Sequence, residues 1–110
     1  MDKSDVVFTK TSGTERIGET KTKIKEDYVK FLNRTGGVVE IKFRAPREEL
    51  IDAFQFFSSV NDMESLGINI ADSGDRWNHY FRGISPLMED EDGNGYNFKV
   101  TLQIRDAAPL

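Results

Sequence analysis

Strict alternation of apolar and polar residues recurs along this chain and predicts most of its elements. From Tyr96 to Ile104, the positions Tyr96, Phe98, Val100, Leu102 and Ile104 fall on one face and Asn97, Lys99, Thr101 and Gln103 on the other. That is the pattern of a half-buried strand. Val38 to Phe43 repeats it, with Val39, Ile41 and Phe43 opposite Glu40 and Lys42, and Leu66, Ile68 and Ile70 share a face in a third run. Trp77 to Ile84 predicts the partner of that run in a hairpin whose polar tip is Ala71-Asp72-Ser73-Gly74-Asp75. Val6-Val7-Phe8 predicts a first strand, stopped by the turn-forming cluster Thr11-Ser12-Gly13-Thr14.

Helical spacing occurs twice. Ala45-Pro46-Arg47-Glu48-Glu49 opens a helix at about Pro46, because proline gives up only an amide that the first turn leaves unpaired and the two glutamates suit the positive end of the helix dipole. Its stripe is Leu50, Ala53, Phe54, Phe57 and Val60, flanked by Ile51 and Phe56. In residues 20–33, Ile24, Tyr28, Phe31 and Leu32 stand at helical intervals, so the pattern favours a helix there, with a long strand as the alternative. Asn33 and Gly36-Gly37 suit either a helix stop or a turn leading into a strand. Together these elements predict an α+β fold. It is one domain over residues 1–110, a mostly antiparallel β-sheet covered by one or two α-helices, with residues 1–20 as a flexible or assembly-ordered arm.

Composition narrows the function classes. The chain has 110 residues, no cysteine, one histidine and a net charge of −4. Thiolate chemistry and multi-histidine metal sites are excluded, and the acidic balance weighs against nucleic acid or an anionic membrane as partner. The polar residues after Met1 lead us to expect a soluble, unexported chain. Charge is unevenly placed: residues 1–55 carry eleven basic and ten acidic side chains, residues 56–110 four and nine. One acidic edge on a near-neutral body is a candidate contact surface.

The candidate chemistry is thin. Asp90-Glu91-Asp92-Gly93-Asn94-Gly95 reproduces the first half of a calcium-binding EF-hand loop, with Asp90, Asp92 and Asn94 as weak candidate oxygen ligands. Position 12 of that loop would be Thr101, inside the strongest strand, so the closing carboxylate is missing. An exposed acidic loop ending in an Asn94-Gly95 turn explains the segment without a metal. His79 is the single conceivable general base, and alternation places it between Trp77 and Phe81 on one strand face, where packing or an interface is the simpler role. Ser73 and Ser85 sit in turns without a nucleophile elbow, Glu48/Glu49 suit the helix start, and Gly36-Gly37 is too short to cradle a phosphate. Acids interrupt the basic stretch Lys21, Lys23, Lys25, Lys30 and Arg34, which reads as a solvated face. We expect no enzyme activity and no cofactor.

The order of elements then becomes the main clue. A strand Val38 to Phe43 running into Pro46-Arg47-Glu48-Glu49 at a helix start, a hairpin containing Trp77, and a closing strand Tyr96 to Ile104 resemble the minor tail protein M family of lambda-like phages, over about residues 38–105. Loop 89–95 and residues 1–37 depart from that family. The resemblance implies a structural subunit of a long non-contractile tail, near the tip or tube end. It would be assembled in the host cytoplasm and carried in the virion tail, with copies of itself in a ring and other tail proteins as partners, and without nucleic acid or membrane. The residues expected at its contacts are Phe56, Trp77, His79, Tyr80, Glu89, Asp90, Glu91 and Asp92. The alternatives are a small cytoplasmic adaptor or regulatory domain that binds one charged protein surface, and a small hydrolase or lyase using His79 with a carboxylate.

Overall fold

A computed structural model describes residues 5–11, 20–70 and 76–104, with the backbone alone for residues 33–35. The turn residues 12–14, the hairpin tip 71–75 and most of the expected arm lie outside the described residues. Eight strands and one helix are present among those described: β1 (Asp5–Lys10), β2 (Lys21–Lys25), β3 (Val29–Thr35), β4 (Val38–Ala45), α1 (Arg47–Ser58), β5 (Ser65–Ile70), β6 (Arg76–Ile84), β7 (Met88–Glu89) and β8 (Tyr96–Ile104). Seven strands join in the order β2-β1-β5-β6-β8-β4-β3, β7 pairs with β8 beside this path, and every pairing is antiparallel. The expected antiparallel sheet is present, but among the described residues it dominates and a single α-helix accompanies it. Asp5–Lys10, placed in the expected arm, is an interior strand with Val6 and Phe8 fully buried.

The helix expected in residues 20–33 is instead two short strands joined by a 3-10 turn, Glu26–Tyr28. In β2, Thr22 and Ile24 turn inward and Lys21, Lys23 and Lys25 outward. The turn resets the phase before β3, so two period-2 segments out of register imitate helical spacing. Gly36 and Gly37, with φ of 60° and 83°, make the two-residue turn that pairs Thr35 with Val38. Left-handed backbone at both central positions is what this tightest hairpin demands, and glycine adopts it without strain.

The sheet is coiled rather than flat. Its edge strands β2 and β3 are consecutive in sequence, and Lys25 and Val29 are four residues apart. Such a link spans at most about 15 Å, whereas the outer strands of a flat seven-stranded sheet would lie roughly 29 Å apart. Three bulges help bend it. Leu32 and Asn33 oppose Glu40, Trp77 and Asn78 oppose Gly67, and Arg82 is the extra residue between Phe81 and Gly83. A bulge adds local twist and re-aims the side chains around it. The result is an incomplete barrel.

α1 fills part of its concave side, packing against β2, β8 and β4. Pro46 precedes the first turn, and Leu50, Ala53, Phe56 and Phe57 are the buried helical positions. Phe57 meets Phe8 (ring centroids 5.1 Å apart), Phe43 (5.3 Å), Phe56 (5.0 Å), Phe81 and Phe98. Phe56, expected at a subunit contact, is 6% exposed, because the Lys10 ammonium lies 5.5 Å from its ring and Phe57 packs edge-on against it. Lys10 is itself buried and donates to Ser59 Oγ, which in turn donates to the Phe56 carbonyl. A cation is favourable at a helix C-terminus, so the lysine is held where the helix dipole rewards it. The described residues include no helix long and apolar enough to cross a membrane.

Candidate functional site

Two features stand out at opposite ends of β8. The first is the acidic hairpin. Met88 and Glu89 pair with Asn97 and Tyr96, leaving residues 90–95 as the connecting loop. The loop is closed by its own backbone: Asp90 N–H donates to the Gly95 carbonyl at 2.8 Å and Gly93 N–H to the Asp90 carbonyl at 2.9 Å. Gly93 is the left-handed residue, with φ of 72°, and the tight turn that its amide closes is centred on Glu91 and Asp92 rather than on the expected Asn94-Gly95. Asn94 N–H donates to Asp92 Oδ1 at 3.0 Å, an Asx turn that supports this geometry.

Arg44 from β4 pins the loop. Its Nε donates to Asp90 Oδ2 at 2.5 Å and its Nη2 to Asp92 Oδ2 at 3.2 Å, while the Asn97 amide donates to Asp90 Oδ1. The Asp90 side chain is only 9% exposed, against 52% for Asp92. The hydrogen bond from Arg44 holds the Asp90 carboxyl below its usual range; burial opposes that shift and the Asn97 amide aids it. Asp90 raises Arg44 in return. Asp90 and Asp92, two of the three candidate calcium ligands, therefore already face a guanidinium, which a dication would have to displace. No group of three or more histidine, aspartate or glutamate side chains suited to a metal occurs among the described residues.

A depressed folded-state value means that the Asp90 contribution is complete above about pH 4, the ordinary aspartate value, and is lost as pH falls through the lower folded value. The Asp90 side-chain carboxyl carbon should therefore titrate in NMR spectra with a midpoint below the ordinary aspartate value. Asp90→Asn should abolish that titration. A midpoint at or above the ordinary value would contradict the pinning.

The second feature is a cleft of about 390 Å³ at the other end of the barrel, beyond the reach of α1. Its apolar lining is Phe31, Leu32, Val39, Ile68 and Ile70, and its polar lining is Arg76, Asn78 and His79. Strands β3 and β5, with three strands between them in the sheet, meet across it because of the coiling. Bulges in β3 and β6 form its rim, Leu32 belonging to one and Asn78 to the other. A cleft of this size in a barrel mouth is a common place for a ligand or partner segment. Arg76 is exposed, and no ion pair reaches it among the described residues.

The bulge at Trp77 and Asn78 also breaks the alternation that put Trp77, His79 and Phe81 on one face. His79 and Phe81 turn inward, 8% and 5% exposed, in line with the buried Leu66 and Leu102. Trp77 instead covers Gly67 on the outer face, which Tyr80 shares. Of the expected contact residues, Phe56 and His79 are interior and Asp90 is engaged by Arg44; Trp77, Tyr80, Glu89, Glu91 and Asp92 retain accessible surface. Sequence reasoning missed Arg44, Arg76 and the cleft. The exposed Arg44 at the end of β4 carried no signal of its own, since its partners lie 46 and 48 residues further on.

Fold and site together define a sheet-dominated domain with a pinned acidic hairpin at one end and an open cleft at the other. No family model matches the chain, and neither a curated protein nor a solved structure does.

Proposed function

We propose that this chain is a non-enzymatic structural subunit of a phage or prophage tail, a minor tail protein of the tip or tube end that works by self-association and by contacts with other tail proteins. The observation that carries the reading is the pair of unlike surfaces on one frame. An acidic hairpin with an exposed apolar residue stands at one end and a largely apolar cleft edged by a cation at the other. Patches that differ and lie apart suit head-to-tail contacts, which close into rings or extend into tubes. The edge strands support it as well. β2 presents Lys21, Lys23 and Lys25, and β3 is bulged and carries the exposed Lys30, both devices that discourage indiscriminate strand pairing. The assembly in this reading comes from the resemblance of the order of elements over about residues 38–105 to the minor tail protein M family.

The test is mass spectrometry of purified tails together with deletion of the gene. The chain should be recovered in tails at a fixed copy number, and its loss should stop tail assembly. Intact tails that lack the chain would refute the proposal, and capture of one non-structural partner instead would favour an adaptor.

A further inference from the structure

We infer that the cleft seats the β7 hairpin of a second copy of this chain, with Met88 entering the apolar floor and Glu89 meeting Arg76. The inference rests on the self-association reading above and specifies its contact. Met88 is 54% exposed, the highest value among the large apolar side chains described, and it is followed by the exposed Glu89 and Glu91. An unbranched thioether adapts to irregular gaps better than any other apolar side chain. The cleft supplies the complement: Ile68, Ile70 and Phe31 as floor, and Arg76 at the edge with no ion pair among the described residues.

The two features cannot meet within one chain. The hairpin pairs with Tyr96 and Asn97 at the start of β8, while His79 of the cleft pairs with Ile104 at its end. Eight residues of extended strand separate those ends by roughly 27 Å. A hairpin at one end and its seat at the other generate a head-to-tail contact that each copy repeats with the next. Exposed acids on the hairpin against Arg76 at the mouth would set the direction of that contact.

Sedimentation from micromolar to millimolar concentration, at low and high salt, tests this. The wild-type chain should associate, more weakly in salt. Met88→Ser, Glu89→Arg and Arg76→Glu should each weaken association by about tenfold or more. Glu89→Arg combined with Arg76→Glu should recover most of the loss, as expected for two charges in contact. Methyl NMR signals of Ile68 and Ile70 should shift with concentration in the wild type and stay fixed in Met88→Ser, with unchanged thermal midpoints showing that the variants remain folded. If the wild type associates and the variants do so equally, the seat is elsewhere and self-association stands. A wild-type chain that stays monomeric throughout overturns both.

Discussion

Phe57→Ala should destabilise the domain by about 3–5 kcal/mol, the range for deleting a buried phenylalanine whose site cannot collapse. Phe57 has no exposed surface and is the one residue of α1 whose ring reaches Phe8, Phe43, Phe81 and Phe98 on four different strands. Removing it leaves a void between the helix and the coiled sheet, and forfeits edge-on and stacked ring contacts worth about 0.5–1.5 kcal/mol per pair beyond burial. Because domains of this size are stable by only about 5–15 kcal/mol, the variant should unfold at much lower urea with an unchanged m-value. Phe31→Ala, by contrast, removes a ring that is 43% exposed and should cost about 1 kcal/mol or less. Equal losses in the two variants would show that Phe57 is not the centre of the core.

The second large effect is expected at Gly67. A Cβ there would stand 2.8 Å from Cε2 of Trp77 and 3.0 Å from Cδ2 and Cζ2, atoms within the indole rather than at a flexible tip. The ring must therefore leave the strand surface, so Gly67→Ala should cost about 1–3 kcal/mol, as overpacking does. The chain has one tryptophan, so its emission reports the displacement directly and should shift to the red. Gly83→Ala is the control. Nothing lies within 4 Å of its added Cβ and its φ is ordinary, so stability should change by less than about 1 kcal/mol and emission should not move. Unchanged emission in Gly67→Ala would refute the close packing of Trp77 on β5.

Both expectations depend on features with different visibility in the sequence. The faces of β4 and β8 were legible because each strand keeps strict alternation, and Phe43 stacks on Phe98 at 4.7 Å as alternation on paired strands requires. The start of α1 was legible because proline and the following glutamates act locally. Residues 20–35 were not, since a 3-10 turn between short strands shifts the phase and mimics a helix. Trp77 was misplaced for a related reason: a bulge inserts one residue into the alternation, and every side chain beyond it changes face.

The candidate site divides in the same way. The acidic run and its turn glycine were evident in the chain itself, as was the concentration of negative charge after residue 55. Neither feature says what the acids face. Arg44 reaches Asp90 and Asp92 only because β4 and β8 are neighbours in the sheet, and that neighbour relation turns a possible cation loop into a pinned hairpin. The cleft has no local signature at all, since its lining comes from β3, β4, β5 and β6 and exists only once the sheet coils. Sequence alone determined the strand faces, the helix start and the acidic edge, because periodicity, capping and charge act within a few residues. Tertiary structure decided which strands adjoin, how far the sheet curls and which acids remain accessible, because those depend on pairings between residues tens of positions apart.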